Sequence, residues 1–253
     1  MSDQSAGRIQ LNKGGPMIMS DDGTFENVTS TDEVSLPISE TLAHIANPLE
    51  IGTSTDLAMS TDDGMMIAQF FGGAITSKVP ISFEDVSVVR QVPDHQEVYV
   101  DRESEMSLIV ELLNYEENVG DESCAMYYFE DLAKCNEAQN STVDRNEISK
   151  SGNNLLALNH PCVSCTLLGR QTVTKLNQES GTTADIVQIM LLVIRLPEVT
   201  TDMLVSLNIP IGKKLKKDDK NLSTSSDDIV EKANRIMESI LGSIKIVNWA
   251  LFA

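Results

Sequence analysis

Basic residues, aromatics and histidines are all scarce in this sequence. Lys and Arg number 19 against 38 Asp and Glu, a formal net charge of -19. A chain this acidic lacks the cations that neutralise phosphates, which argues against nucleic acid as a partner and against stable attachment to an anionic membrane. Aromatics make up 4% of the chain and hydrophobic residues 41%. The usual globular hydrophobic share is about 45–50%, so part of the chain lacks the apolar content of a packed core. The three histidines, His44, His95 and His160, are too few and too scattered for a multi-histidine metal site. Long apolar runs are missing too. The stretch from Ile186 to Ile194 contains Gln188 and stops at Arg195, far short of the roughly 20 residues that cross a bilayer. The start Met1-Ser2-Asp3 has no apolar core behind a basic flank, so a cytosolic or nuclear location is expected. There the four cysteines are expected to be free thiols, and the sequons at Asn27, Asn140 and Asn221 carry no meaning. No G-x-x-x-x-G-K-[ST] loop, G-x-G-x-x-G turn, G-x-S-x-G elbow or H-E-x-x-H helix occurs, which removes sequence support for the commonest phosphate, dinucleotide, acyl-transfer and zinc-protease chemistries.

What is present divides near residue 70. Residues 1–69 hold 11 acids and two bases, Arg8 and Lys13, amid Ser, Thr, Asp, Gly and Met, with no sustained period. They read as an acidic, largely disordered extension in which only a short amphipathic turn near Leu42 to Ile51 stands out. Residues 70–253 read as a single α/β domain, long enough to bury a sizeable core.

Within that domain, Phe70-Phe71-Gly72-Gly73-Ala74-Ile75 suits a chain turning into its first strand or hairpin. Ser82, with Glu84 and Asp85 behind it, predicts a short helix from Phe83 to Val89. Alternation from Glu97 to Asp101 predicts a strand with Val98 and Val100 on one face. Leu108, Ile109, Leu112 and Leu113 fall on one helical stripe and predict a helix from Glu103 to Asn114. Ala125, Tyr128, Phe129 and Leu132 do the same from Glu122 to Lys134. Residues 136–153 are polar and carry no clear signal. Leu155 to Leu158 and Val163 to Lys175 read as strands. The apolar run from Asp185 to Leu196, ended by Pro197, reads as a central strand covered on both faces and paired in a hairpin with Asp202 to Ile209. Ser226 caps a final amphipathic helix marked by Ile229, Ala233, Ile236, Ile240 and Ile244, and the apolar end around Trp249 is expected to dock on the body.

Three local features invite a chemical reading. Cys162-Val163-Ser164-Cys165 has metal or redox spacing, but Cys124 and Cys135 supply no convincing second pair, and two thiols on an alternating strand are ordinary core residues. Lys213 to Lys217 has the composition of a nuclear localisation signal, although Asp218 and Asp219 follow at once, as in a solvated loop. The acids are the strongest concentration: residues 84–137 contain 15 of them against Arg90, Arg102 and Lys134. Inside this stretch Pro93-Asp94-His95-Gln96-Glu97 forms a proline turn that displays Asp94 and Glu97 at the mouth of a strand, a good place for a binding loop.

At this turn the sequence resembles a known family. Phe71-Gly72-Gly73-Ala74-Ile75, Pro93 through Tyr99, Ser107 through Leu113, Phe129-Glu130-Asp131-Leu132, Arg195-Leu196, Thr201-Asp202 and the ending Leu251-Phe252-Ala253 occur in the order seen in the Ran guanine nucleotide release factors. The resemblance implies a central, largely antiparallel sheet flanked by helices. It also implies binding to the GTPase Ran, promotion of nucleotide release without covalent chemistry, and support for protein import in the nucleus and cytoplasm. The acids that the family's P-D-x-Q-E-V phrase places in Ran binding match Asp94 and Glu97 here, with His95 in the variable slot. No cofactor or metal is implied, and a monomer is expected. The rival expectation is an adaptor that binds a basic partner through the acidic face without affecting nucleotide.

Overall fold

The computed structural model describes residues 17–19, 25–27, 64–149, 162–177, 181–211 and 226–253. In chain order the strands are β1 (Met17–Met19), β2 (Phe25–Asn27), β3 (Met65–Phe70), β4 (Ile75–Pro80), β5 (Phe83–Asp85), β6 (Gln96–Asp101), β7 (Met106–Asn114), β8 (Asn140–Ser149), β9 (Val163–Asn177), β10 (Gly181–Leu196), β11 (Thr201–Pro210) and β12 (Lys245–Ile246). Two α-helices are described, α1 (Cys124–Cys135) and α2 (Ser226–Ser243). Strands β1 and β2 pair with each other and belong to a separate unit, residues 1–35.

Everything else is organised by β10 and β11. From Val187 to Leu196 successive β10 side chains are buried on alternate faces. Met190, Leu192, Ile194 and Leu196 enter one core, whereas Val187, Ile189, Leu191 and Val193 enter another. A strand buried on both sides cannot lie at a surface, so the sheet is sandwiched. Seven antiparallel strands run in the order β5-β6-β7-β11-β10-β9-β8, with Arg195 opposite Asp202 in the central hairpin. Helix α1 covers β9 and β10 on one face, its Ala125, Tyr128, Phe129 and Leu132 entering the second core. Gly169 on β9 permits this approach, because a Cβ there would lie 2.5 Å from Phe129 Cζ. The opposite face carries α2 together with a three-stranded sheet, β12-β4-β3, and Ala233, Ile236 and Ile240 of α2 join Phe70, Ile75 and Val79 in the first core. Trp249, Leu251 and Phe252 pack against the same core, which docks the apolar end of the chain.

Most expected elements are found: the Phe70–Ile75 hairpin turn, the strand at 97–101, helix α1, the strand from Val163, the central hairpin and helix α2. Two expectations are corrected. Residues 103–114 contain strand β7 and no helix. The stripe of Leu108, Ile109, Leu112 and Leu113 fits a helix, but Met106, Leu108 and Val110 face one core while Ile109 faces another. Burial on both sides erases the period that distinguishes strand from helix. The expected helix at Phe83–Val89 is a short strand followed by a 3-10 turn, Val86–Val88, whose cap is Asp85 rather than Ser82; Asp85 Oδ1 accepts from Ser87 N at 2.7 Å. Four β-branched valines within Val86–Val92 favour this extended arrangement over a helix. Strand β3 starts at Met65, and its Ala68 and Phe70 already belong to the core. Strand β8 gave no sequence signal, as its side chains from Asn140 to Ile148 are exposed. The rest of the acidic extension, the strand expected at Leu155–Leu158 and the lysine run lie outside the described residues.

Two ion pairs tie the layers together, one buried on both sides and one joining a buried carboxylate to a partly exposed lysine. Arg195 is 1% exposed, and its Nε lies 3.1 Å from Asp202 Oδ1. Its Nη1 donates to Val119 O at 2.6 Å and to Asp121 Oδ1 at 3.0 Å, its Nη2 donates to Glu116 O at 2.6 Å, and the guanidinium stacks 4.1 Å from the Tyr115 ring centroid. Tyr128 of α1 donates to the other oxygen of Asp202 at 2.7 Å. Burial works against the charge on Arg195, but Asp202 outweighs it and keeps the guanidinium protonated. On the opposite face Lys232 of α2 reaches Asp101 Oδ2 at 2.7 Å, where Ser104 Oγ also donates at 2.6 Å. Burial pushes the Asp101 carboxyl up, yet Lys232, Ser104 and the Glu103 amide outweigh it and hold it below its ordinary 3.8.

Replacing Arg195 by Met leaves Asp202 buried without its cation and is expected to cost about 3–5 kcal/mol, read from urea unfolding. The Asp101 carboxyl titrates lower in the folded than in the unfolded chain. Its contribution to stability is therefore complete above the unfolded value and is lost as pH falls through the folded one. The urea midpoint of Asp101→Asn is expected to lie well below wild type at pH 7, with the gap narrowing as pH falls through the lowered titration of the folded carboxyl.

Candidate functional site

The chain between β5 and β6 is pinned at two points. Val86 and Val92 pack on Val98, Val100 and Ile109, so the span between them is held against the sheet. Gln96 N donates to Pro93 O at 2.9 Å, closing the proline turn, and Leu112 N of β7 donates to His95 O at 2.9 Å. Beneath the turn, the buried Gln96 Nε2 donates to Glu111 Oε1 at 2.7 Å, and His95 Nε2 lies 3.7 Å from the same oxygen. The turn is thus fixed by backbone and side-chain bonds on both sides, and Asp94 at its tip is exposed.

Glu97 behaves differently. It is half-buried on the same face of β6 as Tyr99 and Asp101. Its Oε1 accepts a 2.6 Å hydrogen bond from Phe71 N, in the turn between β3 and β4. Burial pushes its carboxyl up, the Phe71 amide lowers it, and Asp85 nearby raises it again. The turn that Glu97 holds runs through three consecutive positive φ angles: Phe71 at 52°, Gly72 at 63° and Gly73 at 87°. For a non-glycine such as Phe71 this costs roughly 1–2 kcal/mol, which the surroundings must offset. The structure therefore brings Asp94 and Glu97 to one end of the sheet, three residues apart, the first open to solvent and the second engaged with a neighbouring turn. Sequence reading found both acids but missed the bond between Glu97 and Phe71. Its one trace was the Phe-Gly-Gly phrase, which announced a tight turn without its partner.

Around these turns the acidic stretch remains on the surface, with Glu84, Glu103, Glu117, Glu122 and Glu130 exposed. Arg102 offsets Glu84 locally at 2.8 Å. The four cysteines are free thiols, as expected. Cys162 packs on the α2 side of the sheet and Cys165 on the α1 side, as an interval of three on a strand requires. Cys165 instead meets Cys124, and both thiols donate to Asp121 O, at 3.1 and 3.2 Å. This neighbour and burial hold the Cys124 thiol above its ordinary value, and burial pushes Cys162 and Cys135 up as well. Among the described residues no group of three His, Cys, Asp or Glu side chains is placed to hold a metal ion.

Carboxylates displayed on clamped turns at the end of a rigid sheet are the chemistry of protein recognition. The chain belongs to the Ran-interacting Mog1 protein family, whose model matches residues 68–210. The Ran guanine nucleotide release factor of Danio rerio is 35% identical over 147 residues, 58% of this chain and 79% of that protein. The protein of the same name from Bos taurus is 40% identical over 144 residues, 55% of this chain and 73% of its own length. The nuclear import protein mog1 of Schizosaccharomyces pombe is 29% identical over 190 residues, 74% of this chain and all of that protein. Among solved structures, the Saccharomyces cerevisiae Ran-binding protein Mog1p matches with a TM-score of 0.54 at 25% identity, over 75% of this chain and 98% of its own. A mutant of protein Mog1 shares the fold with a TM-score of 0.56 at 24% identity, over 75% of this chain and 99% of its own.

The half-buried Cys135 and Cys162 are expected to react with a thiol reagent in the native state at least about ten-fold faster than the enclosed Cys124 and Cys165, as read by peptide mapping after timed alkylation.

Proposed function

We propose that this chain binds the GTPase Ran, promotes release of its guanine nucleotide and supports nuclear protein import. It works in nucleus and cytoplasm, by binding alone and as a monomer. The names of its relatives and the description of its family support this reading, and the observation that carries it is the clamped Pro93–Gln96 turn, which displays Asp94 beside Glu97 in an acidic field.

The mechanism follows from linkage. A protein that binds the nucleotide-free GTPase more tightly than the loaded form weakens nucleotide binding by the same factor, because the coupling is reciprocal. No bond is made or broken. The negative surface around residues 84–137 speeds encounter with a basic face, and the Asp94 carboxylate on a fixed turn competes for cations that would otherwise serve the nucleotide. Rigidity matters because an ordered turn has little conformational entropy left to lose on binding.

Asp94 is exposed, so Asp94→Lys tests the reading without disturbing the core. Its association rate with Ran is expected to fall about ten-fold at low salt, with stimulated release of a labelled nucleotide falling in parallel and the unfolding midpoint unchanged. Release at the wild-type rate contradicts the assignment. Ran binding by the wild-type chain with no effect on nucleotide release identifies an adaptor.

A further inference from the structure

We propose that the Phe71–Gly73 turn is a second element of the partner-binding face, and that Glu97 serves binding by holding this turn rather than by pairing with a cation of the partner. The inference rests on the reading that the Asp94 end of the sheet meets Ran.

Four observations lead to it. One oxygen of Glu97 is already committed inside the protein, at 2.6 Å from Phe71 N across 26 residues of sequence. The turn it holds is left-handed at three successive residues, one of them not glycine. Such a conformation persists only where the surroundings fix it, and here Glu97 fixes the amide while the core holds part of the Phe71 ring. Gly72, at the tip, is exposed, and a Cβ built there meets no atom of the described residues within 4 Å, so among these residues the tip is open to an approaching backbone or side chain. Lastly, Glu97 begins the seam that docks the smaller sheet and α2. The next residues on its face are Tyr99, whose ring meets Phe70 edge-on at 5.5 Å, and Asp101, bonded to Lys232. Seen this way, Glu97 is the pivot between two turns. The exposed acid of one, Asp94, and the open backbone of the other are presented together.

The two roles of Glu97 separate on substitution. Glutamine keeps an acceptor for Phe71 N and removes the charge; alanine removes both. In binding kinetics of the full chain with nucleotide-free Ran, Glu97→Ala is expected to weaken the dissociation constant at least about ten-fold. Glu97→Gln is expected to rescue it to within about three-fold of wild type. Hydrogen exchange supplies a readout on the turn itself: the Phe71 amide stays protected in wild type and Glu97→Gln and loses protection in Glu97→Ala. Gly72→Val leaves Glu97 intact but forces a β-branched residue into a left-handed position, and it is expected to weaken binding as Glu97→Ala does. Glu97→Gln binding as weakly as Glu97→Ala, or Gly72→Val binding like wild type, overturns this proposal alone. Wild-type chain that binds Ran in no nucleotide state overturns the underlying reading as well.

Discussion

The structure depends on the two-sided burial of its central strands. Strands β10 and β11 have almost no polar face to offer water, so both sides of the sheet must be covered. The chain covers them with different materials. A single helix, α1, suffices over β9 and β10, where Gly169 lets Phe129 approach the backbone. The other side takes α2 and a small three-stranded sheet around one large core. The polar groups that remain inside are used to register these layers. Arg195 and Asp202, facing each other across the central hairpin, gather the 115–121 connection and Tyr128 of α1, while Asp101 fastens α2 from the opposite face.

From this arrangement the candidate binding face follows. One face of β6 must receive the smaller sheet and α2, and three successive residues on it do so by three kinds of contact: a carboxylate on an amide, an aromatic edge and an ion pair. Since β6 begins directly after the proline turn, the residue that starts the seam also stands beside Asp94. The geometry that closes the core therefore sets the position of the acids. An acidic surface gives rate and selectivity for a basic partner, but only a fixed one gives a defined orientation.

Much of this was legible in the sequence, and the failures have physical causes. Helices α1 and α2 were readable because each is covered on one side, which leaves a 3.6-residue stripe of Ile, Leu and aromatic residues. Strand β6 alternates visibly because Glu97, Asp101 and the valines contrast in polarity. Strand β7 was misread because both of its faces are buried, and β8 was invisible because neither is. The Pro93–Glu97 phrase announced a turn at the start of β6 through local turn chemistry, and the structure has that turn. The bond from Phe71 to Glu97 was not legible, since it joins positions 26 residues apart and no periodicity encodes it. Arg195 and Asp202 were noticed as the limits of strands and as parts of the resemblance, but not as a pair; their place in the central hairpin explains them as structural. The Cys162–Cys165 pair was read as ordinary core thiols, and the odd interval sends the two side chains to opposite cores.

The central claim is energetic: binding of this chain and binding of nucleotide oppose each other on the same GTPase. The most direct test is to measure both sides of the cycle, namely the affinity of the chain for nucleotide-free and for nucleotide-loaded Ran, and the affinity of Ran for nucleotide with and without saturating chain. The account predicts tighter binding to nucleotide-free Ran, by the same factor as that by which the chain weakens nucleotide. Equal affinity for nucleotide-free, GDP-loaded and GTP-loaded Ran would contradict it.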